Sequence, residues 1–385
     1  MRLAAGDLDG DLDLDLAVLN GYPGYEFDGV SVLLNNGDGT FAYDEIYSVG
    51  ELPLSVATGD VDANGDLDLA VANYGSNDVS ILPNHGDGTF GWESVYGVGD
   101  DPVSVALGDV DGDLDLDLAV AHEFGDDVWV LLNNGDGTFG DAAAYAVGVF
   151  PHSVAMGDVD GDLDLDLAVA NAVSDTVSVL LNNGDGTFAQ HVIYGAGDGP
   201  TSLVVGDVDG DLDLDLAVAN ALDQNVSVLL NNGDGWFGDE ATYALGYIPE
   251  AVVSGDLDRD DDPDLAVVGS FGGVSVLLNN GDGTFAEPVT YDAGEVPIAL
   301  AMGELDDDGD LDLAVTNYQD GTVSVLMNRC PQCPGDFDGD GAVDADDLQF
   351  LLGAWGTPDG DIDDDGDTDS ADLLALLAAW GDCPE

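Results

Sequence analysis

The sequence predicts an all-β protein, a seven-bladed β-propeller of about 49-residue repeats, followed by a small α-helical module. Three observations predict it. An acidic motif recurs with first residues Asp7, Asp60, Asp109, Asp158, Asp207, Asp256 and Glu304, giving spacings of 53, 49, 49, 49, 49 and 48 residues. Each copy breaks at Gly, Asn and Asp turns into four short β-rich runs. After Asn328 the pattern stops, and a different loop–helix pattern is written twice.

One copy, residues 151–197, reads "PHSVAMGDVDGDLDLDLAVANAVSDTVSVLLNNGDGTFAQHVIYGAG". Its first run, Ser153–Met156, uses small residues, as a crowded innermost strand requires. An acidic loop follows, then "DLAVAN", a turn at "VSDT", "VSVLLNN", the tight "NNGDGT" turn, and a last run inside "FAQHVIYGAG". Four antiparallel strands per copy make one blade, and a ring of blades leaves only short protected edges. In the seventh copy "TVSVLMN" runs straight into "RCPQCPG", so the outer strand is missing. Only Met1–Ala5 precedes the first loop, which leaves the closure of the ring open.

Composition bounds the function. Among 385 residues there are 81 Asp and Glu against 3 Lys and Arg, a formal charge of −78. Such a balance alone suggests disorder, but 45% of residues are hydrophobic and fall in regular short runs, so a core can form. Three basic residues cannot neutralise a phosphate track, and anionic membranes repel the chain, which excludes nucleic acid and anionic lipid as partners. The longest compact apolar run, "LLALLAAW" from Leu373, is too short to cross a bilayer, so no membrane insertion is expected. The N-terminal "MRLAAGD" enters a repeat at once without a signal-peptide core, and reads as a mature form or a fragment.

The positive charge must come from metal ions or salt. Carboxylates at loop positions 1, 3, 5 and 9, with a backbone carbonyl at 7, can wrap one hard cation that takes six to eight oxygens at about 2.3–2.6 Å. These positions are Asp7, Asp9, Asp11 and Asp15 in the first loop; Asp60, Asp62, Asn64 and Asp68 in the second; and Asp109, Asp111, Asp113 and Asp117 in the third. They are Asp158, Asp160, Asp162 and Asp166 in the fourth; Asp207, Asp209, Asp211 and Asp215 in the fifth; Asp256, Asp258, Asp260 and Asp264 in the sixth; and Glu304, Asp306, Asp308 and Asp312 in the seventh. A half-exposed strand with Leu inward and Asp outward would explain Asp164 and the leucines, but not an acid or Asn at all four positions in every copy. The expected cofactor is Ca2+. The "NNGDGTF" turns lack alternating carboxylates and read as hairpins.

Loop, "DLAVAN" strand and "LLNNGDGTF" hairpin, recurring in that order over roughly residues 1–328, resemble the FG-GAP/VCBS repeat family. The resemblance implies calcium loops inside integrin-α-like propeller blades. That family's pattern has Gly at position 6, found here as Gly65 and Gly309; Leu12, Leu114, Leu163, Leu212 and Asp261 stand there in the other loops. A left-handed Leu costs roughly 1–2 kcal/mol. The second and seventh loops are therefore expected to bind most tightly, and the four with leucine to bind more weakly or bend differently.

A Cys/Pro linker, residues 329–334, leads to the final module, residues 335–385. "GDFDGDGAVDADDLQFLLGAWG" from Gly335 is echoed by "GDIDDDGDTDSADLLALLAAWG" from Gly360. Each holds a twelve-residue EF-hand-like loop followed by an amphipathic helix. The first loop offers Asp336, Asp338, Asp340, Asp344 and Asp347, and the second Asp361, Asp363, Asp365, Asp369 and Asp372, raising the expected total to about nine ions. Leu348, Leu351, Leu352 and Trp355 form a helical stripe duplicated by Leu373, Leu376, Leu377 and Trp380, read as a shared core. The tandem resembles a type I dockerin, which implies a cohesin-like partner. The hydroxyl residues usual at positions 10 and 11 are replaced by Ala345–Asp346 and Ser370–Ala371. A Cys333–Cys383 disulfide would tie the module's ends and fit an oxidising, extracellular setting.

His85, His122, His152 and His191 sit at different places in their repeats, and no nucleophile or phosphate motif occurs. The reading is a non-catalytic extracellular or cell-surface binding protein, not an enzyme. Turns between second and third strands, such as Tyr22–Gly29, His122–Asp127 and Asn317–Gly321, would present a glycan or protein ligand with its contact surface. The alternative is an accessory part of a secreted polysaccharide-degrading system.

Overall fold

The computed structural model describes residues 2–21, 28–42 and 45–328, with a few more in the C-terminal region (342–343, 348, 350–352, 373, 376–377 and 381–382). The described part of residues 2–328 is a seven-bladed β-propeller of six four-stranded antiparallel sheets and one three-stranded sheet. Blade 4 shows the plan: Pro151–Gly157 innermost, then Asp166–Asn171, Thr176–Leu180 and Val192–Gly195. Blade 1 is complete, from Leu3–Gly6 out to Glu45–Ser48. Among the described residues blade 7 has the three strands Pro297–Gly303, Asp312–Asn317 and Thr322–Leu326. Among the described residues no helix precedes residue 340, and none is long and apolar enough to cross a membrane.

The second strand explains the "DLAVAN" motif. It is buried along its whole length, because a blade lies against each face. In blade 4, Leu167 and Val169 face the core shared with blade 3, while Ala168 and Ala170 face the core shared with blade 5. Large residues on one face meet small residues on the next, which keeps the packing dense without overcrowding. Each fully buried Leu contributes roughly 1.5–3 kcal/mol. The glycine that ends the inner strand of blade 2 has a matching cause. A Cβ on Gly59 would stand 2.6 Å from Cδ1 of Leu116 in the next blade, so a side chain there is excluded.

Among the described residues the ring closes without sharing a strand. Leu3 and Leu16 of blade 1 pack directly on Ala299, Ala301, Leu305 and Ala314 of blade 7. Gly303 meets Leu14 as Gly59 meets Leu116, and the Asn35 side chain donates to the Leu305 carbonyl at 2.9 Å. The open question from the sequence is thus answered by packing across the seam.

In the C-terminal region Leu348, residues 350–352, Leu373 and residues 376–377 are helical, and Ala342–Val343 pairs antiparallel with Gly381–Asp382. Leu351 and Leu376 are buried while Leu352 and Leu377 are half-exposed. The expected EF-hand ligands, Trp355, Trp380 and the three cysteines lie outside the described residues.

Candidate metal sites

Each acidic loop joins the inner strand of its blade to the second strand, so all seven lie at one rim of the ring. The position-1 carboxylate organises the loop. Asp158 Oδ1 accepts from the amides of Gly161 and Asp162 (2.8 and 3.1 Å), and Oδ2 from that of Leu163 (2.9 Å). Position 5 makes a second turn: Asp162 Oδ1 accepts from the Asp164 amide at 3.0 Å, and Asp11, Asn64, Asp113, Asp211, Asp260 and Asp308 do the same two residues on.

Position 9 is held from two sides. Asp166 is 1% exposed; its Oδ2 accepts from the Val159 amide at 3.0 Å and its Oδ1 from the Asn182 amide at 2.7 Å. Asn182 opens the "NNGDGT" hairpin, and its side chain donates to the carbonyls of Leu165 and, in the preceding blade's loop, Val110. Asn35, Asn84, Asn133, Asn231, Asn279 and Asn328 repeat this clasp around the ring. These hairpins are turns, as their sequence predicts, and beyond that their first Asn orders the acidic loops of two blades. The signal was present: the first Asn persists where the second becomes His85 and where the hairpin ends at Asn328.

The loops bring positions 1, 3 and 9 together. Ligand atoms of Asp7, Asp9 and Asp15 lie within 4.8 Å of one another, as do those of Asp60, Asp62 and Asp68, of Asp109, Asp111 and Asp117, of Asp158, Asp160 and Asp166, and of Asp207, Asp209 and Asp215. Two further groups of this kind occur among the described residues. Position 5 stands beside these groups, pressing its charge on position 3.

Burial raises the pKa of Asp9, Asp111, Asp160, Asp209 and Asp306, and the position-5 neighbour raises it further. Burial also lifts Asp15, Asp68, Asp117, Asp166, Asp215 and Asp312 to about 6 against two amide hydrogen bonds each. The buried Oδ1 atoms of Asp111, Asp160 and Asp306 and Oε2 of Glu304 have no hydrogen-bond donor. An oxygen-only cluster with buried, donorless lone pairs suits a hard divalent cation.

A pH prediction follows for the metal-free chain. A position-9 carboxyl with a raised folded pKa stabilises the fold below its unfolded value near 4, and that contribution is lost as pH rises through about 6. Chelated protein should therefore melt at a higher temperature at pH 5 than at pH 7.5. Adding calcium should reverse the order, because protons and metal compete for the same oxygens. Thermal melts at both pH values check it.

Position 6 turns the same way in every loop. Leu12, Leu114, Leu163 and Leu212 have φ of 82, 76, 79 and 75°, close to 83° at Gly309. The leucine loops thus do not bend differently; they hold the strained turn, with Leu163 89% exposed. Leu163→Gly should stabilise the fold by about 1 kcal/mol, less the entropy glycine adds to the unfolded chain. Denaturant unfolding measures it. In the seventh loop, Arg259 reaches across from blade 6 to the Asp308 carbonyl (2.9 Å) and the Asp310 carboxylate, a resident cation that opposes a second one nearby.

The histidines do not converge. His122 is buried against Trp129, His152 Nδ1 contacts the Thr201 carbonyl, and His191 Nδ1 contacts Ser178 Oγ, where blade 2 has Glu93 on Ser80.

Fold and loops together define a class: a seven-bladed propeller with an acidic loop in each blade. The chain belongs to the FG-GAP-like repeat family, whose model matches residues 7–71, 60–120, 115–169, 158–218, 210–267 and 256–315. A comparison with curated proteins finds no match. Solved structures share the fold. BBS1N in complex with ARL6DN is 15% identical with a TM-score of 0.61, covering 85% of this chain and 91% of that one. An Agrocybe aegerita lectin specific for non-reducing terminal N-acetylglucosamine is 23% identical with a TM-score of 0.54, covering 75% and 79%. Virginiamycin B lyase from Staphylococcus aureus is 12% identical with a TM-score of 0.56, covering 85% and 99%.

Proposed function

We propose that this chain is an extracellular, calcium-stabilised, non-catalytic binding propeller that presents a glycan or protein ligand with its turn surfaces, its dockerin-like tail serving attachment or assembly. The observation that carries the metal reading is the repeated cluster of positions 1, 3 and 9 with buried, donorless oxygens. Calcium fits best, because short carboxylate loops with carbonyl and water supplements match its high, flexible coordination number. In each loop positions 1, 3, 5 and 9 would supply side chains and position 7 a carbonyl.

The binding surface is the rim opposite the acidic loops, where each second strand turns into the third. There Phe124, Val173, Leu222 and Phe271 are 65, 60, 74 and 88% exposed in four successive blades. Phe124 is braced edge-on by Phe150 at 5.2 Å. Exposed aromatic and aliphatic tips on a rigid ring suit a sugar face or an apolar protein patch. Tyr22–Gly29, the turn sequence with most aromatics, connects the second and third strands of blade 1 in the sequence, and its residues 22–27 lie outside the described residues. The fold shared with an N-acetylglucosamine-specific lectin supports testing glycans first. A glycan array probed with calcium-loaded protein, alongside a Phe124→Ala/Phe271→Ala variant, tests the proposal. Binding lost in the variant supports it, and turnover of a polysaccharide would overturn it. The second reading, an accessory of a polysaccharide-degrading system, rests on the duplicated loop–helix tail.

A further inference from the structure

In five interfaces a tyrosine from the fourth strand of one blade meets the hairpin Phe of the next edge-on: Tyr47 with Phe90, Tyr96 with Phe139, Tyr145 with Phe188, Tyr194 with Phe237, and Tyr243 with Phe285, at 5.2–5.5 Å. An aliphatic residue two positions after the tyrosine packs on the same core; Val98 and Val147 are examples. Five of the six fourth strands thus share one pattern, Tyr–small–aliphatic, seen in "YSV", "YGV", "YAV", "YGA" and "YAL"; the sixth reads "YDA".

Between blades 7 and 1 this filling is missing among the described residues. Phe41 has no stacking tyrosine and is half-buried, whereas its five counterparts are 7–9% exposed. Among the described residues the strand Thr322–Leu326 has no outer neighbour, and it is half-buried to exposed, whereas Thr176–Leu180 is almost fully buried. Beside it lies a groove of about 570 Å³, lined by Val18, Leu33 and Phe41 of blade 1, Val323 and Val325 of blade 7, and Arg2. The residues that follow, "RCPQCPG", carry two prolines and no Tyr–small–aliphatic run.

We propose that this groove is a strand-accepting site for an extended peptide carrying the Tyr–small–aliphatic pattern. The peptide adds antiparallel to Thr322–Leu326 through main-chain hydrogen bonds, and its tyrosine fills the slot over Phe41. The other fourth strands supply the argument for this occupant. They show, in the same fold, which residues satisfy this edge and this pocket, and in which register: Thr176–Val179 pairs with Gly195–Val192.

The probe is a capped peptide of the chain's own Ser94–Gly99 sequence, SVYGVG, added to the calcium-loaded full chain. Saturable binding, slowed amide exchange confined to Thr322–Leu326 and the groove, and about tenfold or greater weakening by a Tyr→Ala peptide support the site. A Phe41→Ser variant that still melts cooperatively should also lose binding. No binding at millimolar peptide, or equal binding of the Tyr→Ala peptide, overturns the proposal. So does exchange at Thr322–Leu326 that is already slow without peptide: if independent of protein concentration, the chain fills its own groove; if it slows as the chain dimerises, a second copy does.

Discussion

Stripping divalent ions from the chain is expected to lower its melting temperature by on the order of 20 °C, or to unfold the ring outright in dilute buffer. Three carboxylates within 4.8 Å of one another repel in each of the first five loops when no cation lies among them. A ligand at a hundred times its dissociation constant stabilises by about 2.7 kcal/mol per site, so three filled sites match a typical domain's whole stability of about 5–15 kcal/mol. Molar salt should recover part of the loss, since screening at that strength acts within about 3 Å. Melting curves with and without chelator, paired with a metal count by native mass spectrometry, check it. Equal melting temperatures in low salt would sink the metal reading while leaving the strand-accepting groove untouched.

Asn182→Ala is expected to cost about 2–6 kcal/mol and to weaken calcium binding in two adjacent loops. The side chain donates to the carbonyls of Val110 and Leu165 at 2.7 and 2.9 Å, both in buried or part-buried surroundings. Alanine would leave two acceptors without a donor, each costing roughly 1–3 kcal/mol. The amide that holds Asp166 remains, but the hairpin loses its anchor in the neighbouring blade. Asn183→Ala is the control, because that side chain bonds only within its own exposed hairpin, to Thr187. Urea unfolding of both variants measures the difference. A cost for Asn182→Ala no greater than for Asn183→Ala would mean that the clasp is not structural.

The blades were legible because their determinants are local. A 49-residue period, alternation within "DLAVAN" and turn chemistry at "NNGDG" all lie within a few residues of the structure they specify. The acidic loops were legible for the same reason, but the spacing points to four side chains per loop, whereas the clusters bring together the ligand atoms of three, positions 1, 3 and 9. The clasp was not, because Asn182 meets Val110 across 72 residues and a hairpin Asn already has a sufficient local explanation. Closure depends on Leu3 and Leu16 fitting the face of blade 7, a match of shapes that no periodicity encodes. Position 6 misled for a further reason. Propensity argues against a left-handed leucine, yet the Asp158 carboxylate holds the Leu163 amide and its neighbours in that turn, and the strain persists.

Among the described residues each blade is built from one consecutive stretch of chain, and none borrows a strand from the far end. Near-identical neighbouring repeats are prone to unequal recombination, and here such an event would add or delete a whole, correctly bounded unit. Copy number can therefore drift with each surviving blade intact, and the geometric burden falls on the curvature at the junctions. Seven is the count at which those junctions, seam included, meet.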